Sequence, residues 1–194
     1  MREQIAFYFE QKYCTGCKTC QVACRDKNNS RTDAYYRKVY QVSGGTYVKR
    51  GNALIPGIYA YWITTSCNHC QKPACIKNCP EGAIRKNADG IVEITNACTG
   101  CGKCVRACPY EAIHLDQKTG KAGKCDFCAD ELARGKPPVC VASCPMRALD
   151  YGPLEELREK YGDCGGTFGM PSAKITQPSL VIAPHKDAIG RTEE

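Results

Sequence analysis

The sequence lacks an apolar run of the length that crosses a lipid bilayer. A membrane-spanning helix needs about 20 apolar residues, and the best candidate, residues 53–65 (ALIPGIYAYWITT), is short and broken by Pro56 and Gly57. The N-terminus (MREQIAFYFEQKYC) has neither a basic region followed by a long apolar stretch nor an Arg-Arg export motif. We therefore expect a chain without a secretory signal that does not span a membrane by itself.

Acidic residues are fewer than basic ones. The 27 Lys and Arg residues exceed the 20 Asp and Glu residues, for a formal net charge of +7. An excess of positive charge normally suggests nucleic acid or an anionic surface as a partner. However, this count treats the 17 cysteines as neutral, and thiolates that bind metal carry negative charge, which would offset the excess. We therefore expect no nucleic-acid partner.

Cysteine is abundant, with 17 among 194 residues. Such a content is typical of a scaffold built on disulfides or metals, which takes the place of a large hydrophobic core. Sixteen cysteines form four tight groups, whose members are better placed to converge on one metal centre than to pair at a distance, so disulfides are the disfavoured alternative. The groups are Cys14, Cys17, Cys20, Cys24; Cys67, Cys70, Cys75, Cys79; Cys98, Cys101, Cys104, Cys108; and Cys125, Cys128, Cys140, Cys144.

The four groups are internal repeats. Every group begins with C-x-x-C and ends with C-x-x-x-C, and only the gap between these halves varies. A proline follows the last cysteine in three groups, whereas Arg25 follows it in the first. Zinc usually takes two pairs separated by a dozen or more residues, but C-x-x-C-x-x-C-x-x-x-C-P is typical of a [4Fe–4S] cluster. Iron–sulfur clusters are therefore favoured over a zinc scaffold.

The fourth cysteine of such a run binds the other cluster of a pair. Groups two and three are adjacent and joined by one predicted hairpin, so they should form one ferredoxin-like module, which leaves groups one and four for a second. The alternative pairs group one with group two, but 42 residues separate them. The predicted ligand sets are set 1 (Cys14, Cys17, Cys20, Cys144), set 2 (Cys125, Cys128, Cys140, Cys24), set 3 (Cys67, Cys70, Cys75, Cys108) and set 4 (Cys98, Cys101, Cys104, Cys79).

The expected fold class is α+β, with two ferredoxin-like modules related by pseudo-two-fold symmetry. The four-cluster region would span residues 1–150, with an inner module at about 67–124 and an outer module from 1–30 plus 125–150. Alternating patterns predict hairpins in residues 82–95 and 112–125. The Tyr-rich segment 25–66 should form two or three inserted strands. Residues 151–194 should contain a short helix between Pro153 and Gly162 and an extended, partner-binding tail without a core of its own.

These motifs resemble the iron–sulfur subunits of the molybdopterin oxidoreductases, and most closely those of the anaerobic dimethyl sulfoxide reductase type. The resemblance rests on CTGCKTC, CNHC…CP, CTGCGKC…CPY and KCDFC…CVASCPMRALDYGP, and it extends through GPLEELREKYG and PSLVI. It implies a non-catalytic electron-transfer subunit with four [4Fe–4S] clusters. Polysulfide, thiosulfate and tetrathionate reductases carry near-identical relays, and a free-standing polyferredoxin is an alternative of another class.

The resemblance also implies partners. These would be a molybdopterin catalytic subunit and a membrane anchor that oxidises quinol, with electrons passing from set 4 through sets 3 and 2 to set 1. Cys101 stands where nitrate reductase has tryptophan, which implies a four-iron cluster at set 4. The complex would lie at the outer, periplasmic face of the cytoplasmic membrane, with the cytoplasmic face left open.

Several residues outside the cysteine groups have other expected roles. His69 should have a hydrogen-bonding or surface role, His114 a structural one, and Cys164 should be a free thiol. Lys103 and Arg106 should be solvated counter-charges of group three. Packing in strands or at a subunit interface is expected for the remaining aromatic residues of interest: Tyr35, Tyr36, Tyr59, Tyr61 and Trp62.

Overall fold

The computed structural model describes residues 3–29 and 34–189. Residues 30–33 of the Tyr-rich segment and 190–194 of the predicted tail lie outside the described residues. The helices are α1 (Thr19–Lys27), α2 (Ala74–Lys77), α3 (Lys103–Ala107), α4 (Ala129–Leu132), α5 (Val139–Ala142) and α6 (Leu154–Tyr161), with short 3-10 helices at Gln11–Tyr13 and Lys186–Ala188. The strands are β1 (Ile5–Glu10), β2 (Arg37–Gly44), β3 (Tyr47–Arg50), β4 (Ala53–Pro56), β5 (Tyr59–Ser66), β6 (Ile84–Lys86), β7 (Val92–Ile94), β8 (Ile113–Leu115), β9 (Ala122–Lys124), β10 (Leu149–Pro153) and β11 (Leu180–Ala183).

Strand β1 is the centre of a three-stranded sheet in the order β10-β1-β11. Its aromatic sequence, IAFYFE, suits a strand that is covered on both faces. Phe7 and Phe9 face the core that contains the cysteines, whereas Ala6 and Tyr8 face α6. This strand was not predicted from the sequence.

Helix α6 closes the outer face of that sheet. Leu154 and Leu157 are buried against β1, and Gly162 ends the helix with a left-handed φ of 89°. The predicted helix is confirmed, with one difference: Pro153 is the last residue of β10 and precedes the helix rather than lying in its first turn.

The described part of the Tyr-rich segment contains four strands, so the prediction of two or three is wrong in number. Strands β2 and β5 pair antiparallel along their full length, from Arg37 opposite Ser66 to Gly44 opposite Tyr59. Between them, β3 and β4 pair antiparallel at the tip of the same hairpin, and their residues are all exposed. The two pairs share one antiparallel register, so the chain turns back once, at Gly51–Asn52, and an interruption near Gly45 and Gly57 divides each long strand into two.

Both predicted hairpins after the cysteine groups are present. Strand β6 pairs antiparallel with β7, and β8 pairs antiparallel with β9. Short helices precede or follow them, and α2 packs on α3 as α1 packs on α5. The helices of groups two and three are therefore neighbours, as are those of groups one and four.

The C-terminal segment departs from the expectation of an extended tail without a core. Strand β11 pairs in parallel with β1, and Leu180, Val181 and Ile182 are buried. Met170 and Thr176 are buried as well. The segment pairs here because β1 has a free edge and apolar groups on both faces, so the apolar residues LVIA can extend the sheet.

No helix in the described ranges, 3–29 and 34–189, is long and apolar enough to cross a membrane.

Candidate iron–sulfur sites

Set 1 surrounds a cavity at one surface of the molecule. Cys14, Cys17, Cys20 and Cys144 line it together with Phe9 and other residues. The first three come from the loop and first turn that lead into α1, and Cys144 arrives from the end of α5. The indole of Trp62 lies against Gly16 of this loop, so closely that any side chain at position 16 would overlap the ring. Trp62 thus packs against the set 1 loop, in agreement with its predicted packing role.

Set 4 surrounds a second cavity of the same kind. Its lining includes Cys98, Cys101 and Cys104 from the group-three loop and Cys79 from group two. The backbone N–H of Ala122 donates to the Cys98 Sγ at 3.4 Å. The hairpin β8–β9 therefore supplies a hydrogen-bond donor to this thiol set, as sulfur ligands of clusters commonly receive.

Set 2 lies in the interior. Burial, opposed by Arg37 and aided by the thiols of Cys140 and Cys128, raises the pKa of Cys24 to about 12. Burial likewise raises the pKa of Cys128 to about 11, and raises that of Cys125 well above its ordinary value. Two donors reach sulfur: the N–H of Phe127 contacts Cys125 Sγ at 3.4 Å, and the Asn28 amide contacts Cys24 Sγ at 3.6 Å.

Set 3 is partly internal, with Cys67 and Cys75 buried and Cys70 and Cys108 half-buried. Burial raises the pKa of Cys70 to about 11 and that of Cys75 to about 12, with Cys67 and Cys108 as further contributors to both. A group of buried thiols whose protons are held this firmly deprotonates only with a compensating positive charge. Bound metal supplies that charge, so the chemistry of this donor set fits a thiolate-ligated cluster.

The four sets form a sequence of neighbours, in which Cys75 of set 3 and Cys104 of set 4 belong to one buried cluster. Burial and the nearby Cys140 of set 2 raise the pKa of Cys20 in set 1. Burial and the nearby Cys67 of set 3 likewise raise the pKa of Cys125 in set 2. Cys17 of set 1 and Cys101 of set 4 are exposed, whereas every thiol of set 2 is buried. The arrangement therefore runs from one surface, through the interior, to another.

Sets 1 and 4 each surround a space rather than a point. Among the described residues, no group of three or more His, Cys, Asp or Glu side chains is arranged to hold a single metal ion. A cubane is larger than one ion, and its four irons each accept one thiolate. The residues of the four sets therefore fit such a group in number and in donor type.

The structure also places the residues outside the cysteine groups for which the sequence predicted other roles. His69 is buried and its Nδ1 accepts a hydrogen bond from the Val92 N–H at 3.0 Å, which favours the hydrogen-bonding role over the surface one. The His114 ring lies 3.1 Å from the Tyr35 carbonyl oxygen, Lys103 and Arg106 are exposed, and the Cys164 thiol donates to the Gly166 carbonyl. The remaining tyrosines belong to strands or contact them: Tyr36 approaches Gly123, Tyr59 stacks on Tyr61, and the Tyr61 hydroxyl donates to the Phe168 carbonyl.

Two buried cationic residues were not predicted from the sequence. Arg37 is 2% exposed and Lys124 is 7% exposed. Lys124 donates to the carbonyl oxygens of Val92 and Cys125. The alternating pattern YYRKVYQV places Arg37 on the same face as Val39, but charged residues are rarely buried, so the sequence alone did not indicate a buried cation there.

Comparisons with known proteins agree with this chemistry. Residues 58–154 match the sequence profile of the 4Fe-4S dicluster domain, and residues 11–35 match that of a 4Fe-4S binding domain. The fold and the cysteine sets thus define a small α/β iron–sulfur protein with 4Fe-4S ferredoxin-like domains.

Relatives that match along most of the chain indicate which kind of iron–sulfur protein this is. The protein is 42% identical over 189 residues to the B subunit of anaerobic dimethyl sulfoxide reductase of Escherichia coli, covering 97% of this sequence and 92% of the relative. It is 45% identical to the subunit of the same name from Haemophilus influenzae, covering 96% and 92%. It is 37% identical to the thiosulfate reductase electron transfer subunit of Salmonella typhi, covering 80% and 79%. The protein belongs to this family of iron–sulfur electron-transfer subunits of dimethyl sulfoxide reductases and related sulfur-compound reductases.

Proposed function

We propose that this chain carries four [4Fe–4S] clusters, held by sets 1 to 4, and relays electrons within a dimethyl sulfoxide reductase-like respiratory complex. When bound, each cluster accepts and releases one electron. The observation that carries the proposal is the meeting of distant cysteines around shared cavities, Cys144 with group one and Cys79 with group three. Those meetings support the exchange of the fourth ligand within two modules and disfavour pairing group one with group two.

The exposure of the thiols supports a relay between two partners. Exposed Cys101 of set 4 suits a contact with one partner, and exposed Cys17 of set 1 suits a contact with the other. From the family resemblance, the first partner is a membrane subunit that oxidises quinol and the second is a molybdopterin catalytic subunit. In this arrangement the electrons travel from set 4 through sets 3 and 2 to set 1.

The chain itself would contribute no catalytic residue. Its cysteines hold and insulate the clusters, and every cluster iron would have a thiolate ligand, which leaves no open coordination position. The inner module would comprise residues 67–124, and the outer module residues 1–30 and 125–150 in a pseudo-two-fold relation. The complex would lie on the periplasmic face of the cytoplasmic membrane, attached through the anchor subunit.

The test is anaerobic purification of the full chain, followed by iron and acid-labile sulfide determination and EPR spectroscopy during a reductive titration. Four cubanes require about sixteen iron and sixteen sulfide per chain. About four zinc and no sulfide would refute the proposal. A chain that loads fully and exchanges electrons rapidly without either partner subunit would instead support a free-standing polyferredoxin.

Single serine variants test the ligand sets. Cys144→Ser and Cys17→Ser should alter the same EPR signal, because both residues belong to set 1, and Cys79→Ser should act on the same signal as Cys98→Ser. Cys164→Ser is the matched control, since its thiol donates to a backbone carbonyl and belongs to no set. If Cys79→Ser altered the signal of group one instead, the tandem pairing of groups one and two would be correct.

A further inference from the structure

Arg37 is a buried cation without an acidic partner in the part of the chain that the structure describes. Its two terminal nitrogens donate to Thr64 Oγ1 and Ser66 Oγ, each at 3.1 Å, and its guanidinium lies 4.6 Å from the centre of the Phe7 ring. All three partners are uncharged. A charge this deeply buried is strongly unfavourable unless an opposite charge compensates it.

The groups of opposite potential charge around Arg37 are cysteine thiols. Cys140, Cys20, Cys125 and Cys24 all raise the pKa of Arg37, against the lowering effect of burial. Thr64 Oγ1, which accepts from Arg37, lies 3.8 Å from Cys20 Sγ. Arg37 therefore lies beside set 1 through Cys20 and beside set 2 through Cys24, Cys125 and Cys140.

We propose that Arg37 is the fixed counter-charge shared by sets 1 and 2, and that it raises the reduction potentials of the two clusters these sets hold. The inference rests on the proposed function, because it requires clusters at both sets. It assigns to Arg37 the role of a tuning residue that acts on the clusters through space and through the Thr64 hydroxyl, without being a ligand.

The physical reason is electrostatic. One-electron reduction makes a thiolate-ligated cubane more negative, so a nearby fixed cation stabilises the reduced form over the oxidised form. Arginine stays protonated at all accessible pH values, so its charge does not titrate away. The interior has a low effective dielectric constant, which makes the interaction stronger than it would be at the surface.

The effect should be confined to the outer module. Burial and neighbouring thiols raise the pKa of Cys75 and Cys108 in set 3, and Lys124 is the cation that opposes this effect. Lys124 therefore faces set 3, whereas Arg37 faces sets 1 and 2. The clusters of sets 3 and 4 thus serve as internal references in the same molecule.

The experiment compares the anaerobically loaded full chain with Arg37→Gln, Arg37→Lys and Lys38→Gln by EPR-monitored potentiometric titration. The single serine variants assign each signal to its set. Arg37→Gln should lower the one-electron reduction equilibrium constants of the set 1 and set 2 clusters at least tenfold, which is about 59 mV. Sets 3 and 4 should not shift. Arg37→Lys, which keeps the charge, should restore values near those of the unaltered chain.

Lys38→Gln is the matched control for loss of one positive charge. Lys38 is the next residue along β2, but its side chain is 36% exposed and lies 3.8 Å from Glu111. Solvent screens such a charge, so this variant should shift no cluster. An equal shift from Lys38→Gln, or a shift spread over all four signals, would show a general charge effect and overturn the proposal.

The remaining outcomes are also decisive. If Arg37→Gln retains about sixteen iron and all four potentials, Arg37 has no tuning role. If Arg37→Gln loses its clusters, Arg37→Lys decides: full iron content with unaltered potentials supports the counter-charge, whereas loss of iron shows that the shape of the guanidinium matters instead. Absence of iron from the unaltered chain would refute the proposed function, which is a different result from any of these.

Discussion

At the scale of single residues, two glycines in the group-three loop show how closely the chain packs around set 4. Gly100 and Gly102 both have a left-handed backbone, with φ of 75° and 71°. A Cβ at position 100 would overlap the carbonyl oxygen of Gly120, whereas at position 102 its nearest neighbour would be Leu115 Cδ1 at 3.5 Å. The turn of the β8–β9 hairpin therefore rests directly on Gly100.

This difference predicts different outcomes for two similar substitutions. Gly100→Ala should displace the loop or the hairpin and remove the set 4 cluster, with a loss of about four iron per chain. Gly102→Ala should keep the iron and cost only the left-handed penalty of about 1–2 kcal/mol. Iron analysis of the two purified variants makes the comparison, and equal iron loss from both would show that backbone conformation, rather than contact with Gly120, is the constraint.

At the scale of secondary-structure elements, the central position of β1 decides how the C-terminal segment folds. Val181 of β11 is 0% exposed and packs with Ala6, Tyr8 and Leu154. The hairpin β3–β4 is the opposite case, because Val48 is 51% exposed. The two valines therefore form a matched pair of one residue type, both on strands, in contrasting environments.

Val181→Asp should destabilise the chain strongly, because the carboxylate would be buried without a partner, at a cost of about 3–5 kcal/mol. Val48→Asp should change stability by less than about 0.5 kcal/mol. Since unfolding of a cluster protein is irreversible, the measurement is the half-life of the visible cluster absorbance at a fixed temperature. A Val181→Asp variant as long-lived as the control would mean that β11 does not pack on β1 in solution.

At the scale of the whole molecule, the charge balance depends on cofactor content. The formal charge of +7 treats every cysteine as neutral, and the sequence isoelectric point is about 8.6. Buried thiols with raised pKa values keep their protons when no metal is bound. Assembly of four clusters replaces those protons by groups of about −2 each, so the loaded chain should be close to neutral.

Anaerobic native isoelectric focusing tests this expectation. The loaded chain should focus about one pH unit or more below the cluster-free, reduced chain, whose isoelectric point should remain near 8.6. Cys164→Ser should focus with the unaltered loaded chain, because its thiol donates to a carbonyl and takes no part in a set. Coincident bands for loaded and cluster-free chains would contradict ligation by deprotonated cysteines.

The sequence by itself determined the features that depend on local spacing. The three cysteines of C-x-x-C-x-x-C are close together in the chain, so they can bind neighbouring irons of one cluster, and their spacing predicts the cluster type. The hairpins after groups two and three were predicted from short alternating runs around turn residues. The same holds for α6, where Leu154 and Leu157 lie on one face and Gly162 ends the helix. These features depend on residues that are close together in the chain, so the sequence alone is enough to predict them.

Only the tertiary structure decided the features that depend on distant contacts. It showed that β11 completes the sheet beside β1, that the Tyr-rich segment forms four strands, and that Arg37 is enclosed between two thiol sets. An edge strand accepts any partner with suitable apolar groups, and an arginine is buried only where opposite charge compensates it. In both cases the partner lies far along the chain. The sequence therefore indicates that a partner is required, but only the fold shows which residues provide it.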